Sequence, residues 1–311
     1  MRYIDKNLNI EEGNSYSSDF LCESFNEEDK CFYPTMSSKQ VYENFSNKKY
    51  RYGDKNHKGF EPLLVEEQKN YCCYCMGKIE SHNVTLEHII PESFDENQNP
   101  NDEFAYYAGY APILSENVEL TSNFTKYQFS TKEEIRKIKK YPHLISYVNI
   151  VASCHGIIDK QDGTSCFCNN PRGNKRIIPL MLMEKSPSIV SYNQLGIINI
   201  NLKKEEAENT IKALQLNNDT LQEIRTLWYK ISRTSKTVLD IISITNLKDK
   251  IILFKEIFNI KDYTKLEDRW KNYVPVPQLN NINQGETVYW SLFIKYEWFY
   301  EYYKESYPTM N

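Results

Sequence analysis

Cys72 and Cys75 lie in the stretch "NYCCYCMGKIESHNVTLEHIIPES", residues 70–93, a short hairpin's length ahead of the dipeptide Glu87–His88. Zinc is held in a closed tetrahedron of thiolate and imidazole ligands, and a Cys-x-x-Cys turn presents two sulfurs from one compact loop. Cys73 falls between them and is expected to point elsewhere. Two sulfurs leave the tetrahedron half built. The second half has to come from Cys154 in "ASCHG" and from Cys166 or Cys168 in "SCFCNN", because Cys22 and Cys31 fall in a poorly patterned region. Such a metal would be structural, tying the hairpin to the later segment and holding Glu87 and His88 in fixed geometry. The competing reading is a set of unrelated buried thiols. A single histidine in an apolar strand is more often structural than basic. At a strand end beside a turn, however, Glu87 and His88 can both reach one metal or phosphate.

The elements around these residues follow from pattern. Residues 1–57 are polar and loop-like, with one short helix in "SSKQVYENFSN". "EPLLVEEQKNY" combines apolar residues with helix formers and reads as a helix delivering Cys72. "GKIESHNVTLEHII" reads as two short strands around a polar turn that holds His82, and Pro91 ends the second strand. Residues 93–140 form an insertion rich in Asn, Tyr and Asp. "LISYVNIVASCHG" returns to β-branched and apolar character. "SIVSYNQLGIININ" reads as a hairpin with its turn at residues 193–196. From Lys203 the pattern is helical, with an N-cap at Asn218 or Asp219. This gives an α+β chain in three parts: 1–57, a core over 58–185 that carries the insertion, and a mainly helical region over 186–311.

Composition narrows the classes. The chain has 311 residues, 40% of them hydrophobic and 26% charged, enough for a packed core. Its first twenty residues hold no apolar signal region. No apolar run approaches the roughly 20 residues that span a bilayer. A cytoplasmic location with no membrane partner is therefore expected, where cysteines are thiols or metal ligands rather than disulfides. A net charge of −4 argues against coating nucleic acid by bulk electrostatics, so any such contact is local. The basic stretches are "RGNKR" at 172–176 and "RKIKK" at 136–140, the second reading as a solvated helix face. The tyrosine-rich end, "YWSLFIKYEWFYEYYKESY", carries aromatics on several faces and reads as a buried or docking helix rather than a base-stacking surface.

Three of these segments together resemble the HNH endonuclease family, whose ββα-metal site places an acidic-His pair at a strand end, an Asn in the connecting segment and a metal ligand on a helix. "LEHIIPES" matches the first, "YVNIVASCHG" the second, and "CNNPRG" the start of the helix. Over roughly residues 60–230 the chain is similar, more narrowly, to the PtuB-type effectors of Septu and retron anti-phage systems. The resemblance implies a ββα-metal core stapled by a four-cysteine zinc site. It makes Cys168, with Cys72, Cys75 and Cys154, the fourth ligand of the structural Zn²⁺. It also implies a catalytic Mg²⁺ or Mn²⁺ held by Glu87 and Asn169, with Asn170 as the alternative. Asn in the last position departs from the more usual His and suits a cation that takes oxygen ligands.

The same resemblance implies the roles. His88 is the general base toward water, Asn149 orients His88, Asn169 completes the catalytic set, and Arg172 and Lys175 grip neighbouring phosphates of a DNA substrate. His155 is a competitor for a site role, while His57 and His143 are assigned none. The implied partner is a PtuA-type ATPase, docked by residues after about 200. The rival readings are a non-catalytic zinc-stabilised binding module and a stand-alone restriction-type nuclease.

Overall fold

The computed structural model describes the chain apart from residues 27, 30, 33–37, 56, 82, 95, 121–128, 161, 259–271, 274–281 and 309–311, so the turn assigned to His82 lies outside the described residues. The chain divides into two units whose segments interleave in sequence. Both mix helices with two-stranded sheets.

The first unit comprises Met1–Tyr74, Ile79–His155 and Arg172–Ile189, so the N-terminal segment is part of it rather than a separate region. Its helices are α1 (Ile10–Ser24), α2 (Ser38–Phe45), α3 (Lys48–Tyr52), α4 (Phe60–Glu67), α5 (Pro100–Tyr110), α6 (Pro112–Asn117), α7 (Lys132–Ile135) and α8 (Ser186–Ile189). Its strands are β1 (Phe25–Asn26), β2 (Cys31–Phe32), β3 (Thr85–His88), β4 (Val118–Glu119), β5 (Tyr141–Pro142) and β6 (Ile150–Ser153).

Helix α1 corrects the expectation of a loop-like N-terminus. Gly13, Tyr16, Ser17, Phe20 and Leu21 recur at helical spacing and are buried, while Ser, Asn and Glu between them mask the pattern in composition. A Cβ at Gly13 would stand 2.2 Å from the Tyr147 ring, so the helix lies flush on that ring only because the residue is glycine. Two further ties fix this segment: Ser17 Oγ donates to Ile145 O at 2.6 Å, and buried Lys6 donates to Ile150 O at 2.8 Å while pairing with Glu67.

Helix α4 forms in "EPLLVEE" as its sequence suggests but ends at Glu67, so "QKN" is a turn rather than the last helical turn before Cys72. Gln68 then bridges to β6, its amide accepting from Ala152 N–H at 2.8 Å and donating to Ala152 O at 2.7 Å. The chain reverses through Lys69 and Asn70 at φ of 54° and 64° and enters the loop already anchored to that strand. Strand β3 forms as expected but not in a local hairpin. It pairs antiparallel with β6, Thr85 opposite Ser153 and His88 opposite Ile150, while near Ile79 the chain is tied back by Ile79 N–H donating to Asn70 O. The 93–140 insertion supplies α5 and α6, each opened by a proline in its first turn, and α7 capped by Thr131. Only that single turn of "STKEEIRKIKK" is helical, and Arg136, Lys137, Lys139 and Lys140 are exposed beyond it.

The second unit comprises Cys75–Lys78, Gly156–Pro171 and Val190–Asn311. It contains two antiparallel hairpins, β7 (Ile157–Lys160) with β8 (Gly163–Cys166) and β9 (Val190–Tyr192) with β10 (Ile198–Ile200). The latter turns where the 193–196 signal places it. Its helices are α9 (Lys204–Ala213), α10 (Asp219–Ser232), α11 (Val238–Ile242), α12 (Leu247–Phe258), α13 (Ile282–Ile294) and α14 (Trp298–Ser306). Asn218 caps α10 through its side chain. The aromatic C-terminal segment is core: Tyr289, Trp290, Phe293, Tyr296, Phe299, Tyr300 and Tyr303 are buried. Trp228 of α10 stacks on Phe293 at 4.5 Å and its indole N–H donates to Phe293 O, which satisfies its polar atom inside the core.

Candidate metal centre and candidate active site

The sulfurs of Cys72, Cys75, Cys154 and Cys168 all lie within 4.8 Å of one another, and all four residues are buried. A tetrahedral zinc at about 2.3 Å from each sulfur requires sulfurs roughly 3.8 Å apart, so the donor set fits. Donors already converge on the sulfurs: Cys154 N–H on Cys72 Sγ at 3.3 Å, and the Tyr296 hydroxyl on Cys75 Sγ at 3.4 Å. Such contacts stabilise thiolate more than thiol. Cys73 is buried outside the cluster, its N–H given to Ala152 O. Cys166 sits half-buried in β8, opposite Ile157, and the choice between Cys166 and Cys168 falls to Cys168. Cys168 adopts a φ of 60°, and its N–H donates to Leu214 O at 2.8 Å.

Glu87 and His88 close β3, each only 7% exposed. The Glu87 carboxylate is paired with the guanidinium of Arg172, which is 1% exposed. Arg172 also donates to His88 O and Ile89 O, each at 2.6 Å, and to the Tyr74 hydroxyl at 3.2 Å. This corrects the expected phosphate contact for Arg172. The strand ends at His88, leaving the next carbonyls without ladder partners, and Arg172 supplies them from inside the fold. Burial pushes the Glu87 carboxyl up to about 7 against the pull of Arg172, whose own guanidinium is held protonated by its anionic and hydroxyl neighbours. A carboxylate so engaged does not fit the role of an open ligand for a catalytic divalent cation. Among the described residues, no cluster of three or more His, Cys, Asp or Glu side chains other than the four cysteines is arranged to hold a metal.

His88 Nε2 lies 2.8 Å from Leu144 O, and its ring meets Tyr42 edge-on at 4.6 Å. Asn149 is fully buried just before β6. Its side chain accepts from Ile90 N–H at 2.8 Å and donates to Ile90 O and His143 O, so it fixes the backbone leaving His88 instead of bonding the imidazole. His143, which no sequence feature singles out, is buried beside this network and stacks on Phe94. Its place one residue before Leu144 is a signal legible only once the His88 contact is known.

Asn169 is half-buried and Asn170 exposed, in a run of turns over residues 168–174. That run replaces the helix expected at "CNNPRG". Pro171 removes a donor, and Gly173 takes a φ of 53°, outside helical space. Lys175 and His155 are exposed, and His57 lies 3.7 Å from Asp19.

Burial lowers both His88 and His143 to about 4. In the unfolded chain each titrates near 6.5. Below pH 6.5 the unfolded chain therefore binds protons that the folded chain refuses, and stability falls as pH drops toward 4, by about 1.4 kcal/mol per pH unit per histidine. Glu87, raised to about 7, works in the opposite sense, since it takes up its proton in the fold first. Two groups outweigh one. The urea midpoint is expected to fall between pH 6.5 and 4.5, and His143→Gln to flatten that fall; an unchanged slope would refute the assignment.

Comparison with protein-family models, with curated proteins and with solved structures returned no match.

Proposed function

We propose that the chain is an HNH-type endonuclease that hydrolyses phosphodiester bonds of DNA, with His88 as general base, as the effector of an anti-phage complex with a PtuA-type ATPase. The observation that carries this reading is the end of β3: a Glu-His pair on a strand clamped to β6, Asn149 fixing the backbone beyond it, and Cys72 bonded by Cys154 N–H at the same strand pair. With Nε2 against Leu144 O, that nitrogen carries the hydrogen and Nδ1 keeps the lone pair. The ring is neutral at pH 7, the form that accepts a proton from water, and burial, which lowers it to about 4, makes it a weaker base than a free imidazole. Lys175 and the exposed run Arg136, Lys137, Lys139 and Lys140 supply local positive charge for phosphates, the run entering β5 four residues before Leu144.

The burial of Glu87 and His88 favours a second reading, a zinc-stabilised binding module without catalysis. Plasmid cleavage by the purified full chain separates the two. It is run with Mg²⁺ or Mn²⁺, with and without an ATPase encoded beside it, against His88→Ala of equal zinc content. His88→Ala is expected to lower the rate at least about 100-fold. Equal cleavage by the variant, or none by wild type in any condition, moves the reading to the binding module.

A further inference from the structure

Arg225 is a buried cation that, among the described residues, has no carboxylate partner. It lies in α10 at 0% exposure, and Nη1 donates to Gly196 O at 3.1 Å and Leu216 O at 2.7 Å. Its Nε and Nη2 reach no hydrogen-bond acceptor. The guanidinium carbon stands 5.0 Å from the Tyr192 ring centroid and 5.4 Å from that of Phe299. Among the described residues no carboxylate pairs with it. Guanidinium does not deprotonate in a protein, and an uncompensated buried charge is strongly destabilising. Arg172 in the first unit has Glu87 for this purpose; among the described residues Arg225 has two backbone carbonyls and two aromatic faces, and no carboxylate.

The groups around Arg225 lead to the cysteine sulfurs. The turn that accepts from Arg225 at Leu216 O also accepts the Cys168 N–H at Leu214 O. Phe299 stacks on Tyr296, whose hydroxyl points at Cys75 Sγ. Four neutral thiols could not balance Arg225. Four thiolates around one divalent cation carry a net charge of about −2.

We propose that Arg225 is the counter-ion of the metal–tetrathiolate centre, acting through the weakly screened interior rather than by a direct bond to sulfur. The pairing sets the charge state of the site: the cysteines are ionised around a divalent ion, and α10 carries part of the opposing charge. It is independent of whether the chain cleaves DNA.

The test is competition for Zn²⁺ between the full chain and a chromophoric chelator, for wild type, Arg225→Gln and Arg225→Lys. Gln keeps an N–H donor but removes the charge; Lys keeps the charge but loses the planar fork. Arg225→Gln is expected to bind zinc about 10- to 100-fold more weakly, as for other groups that support metal ligands, with Arg225→Lys near wild type. If Gln does not yield soluble protein, Arg225→Met removes the same charge with an apolar stem and carries the same expectation. Equal losses in the neutral and Lys variants, or no loss in either, would overturn the proposal, since the effect would then follow shape and not charge.

Discussion

Arg172→Met is expected to destabilise the chain by about 3–5 kcal/mol, the range for breaking one side of a buried ion pair. Two effects add. Glu87 is left as a buried carboxylate without its cation, and His88 O, Ile89 O and the Tyr74 hydroxyl lose their donor. Glu87→Gln is the milder change, because amide replaces carboxylate at nearly constant volume while Arg172 keeps its carbonyls. The double variant should lose less than the sum of the two by about 1–3 kcal/mol, the size of coupling between residues in contact. Urea midpoints of the four proteins measure this. Additive losses would mean that Glu87 and Arg172 do not act as a pair. A surface role in gripping phosphate predicts instead that Arg172→Met leaves the midpoint unchanged.

The second large effect concerns the cysteines. The purified chain is expected to hold one zinc per molecule, and Cys154→Ser or Cys72→Ser to lose it, whereas Cys73→Ser and Cys166→Ser, outside the cluster, retain it. Structural zinc contributes roughly 10–16 kcal/mol in small zinc domains, as much as or more than the roughly 5–15 kcal/mol net stability of a whole domain. Loss of the metal should therefore abolish the cooperative thermal transition or lower it by tens of degrees. Metal analysis beside thermal melts decides the matter. Zinc retained at full stoichiometry by Cys154→Ser would show that the four sulfurs are a cluster of thiols and not a metal centre.

What could be read without the fold was whatever has a local cause. Helix α4, the 193–196 turn, the Asn218 cap and the helical run beyond Lys203 depend on spacing, turn chemistry and capping within a few residues. The Cys-x-x-Cys half of the cluster is of the same kind, and its third member, Cys154, followed from the need to close a tetrahedron. Cys166 and Cys168 stood level on the residues alone; only the resemblance of "CNNPRG" to a family motif favoured the second.

Tertiary structure decided the rest, because the deciding contacts join residues far apart in the chain. Helix α1 is polar by composition and became legible only where Gly13 meets Tyr147. Strand β3 looks like half of a hairpin, yet its ladder is completed by β6. "CNNPRG" resembles the start of a helix with Arg172 set to grip phosphate, but the segment is a run of turns and Arg172 lies buried, donating to the carbonyls at the end of β3. His143 and Arg225 carry no signal at all in sequence. An imidazole or a guanidinium is assigned its work by burial and by the charges packed around it, and neither is written in its neighbours along the chain.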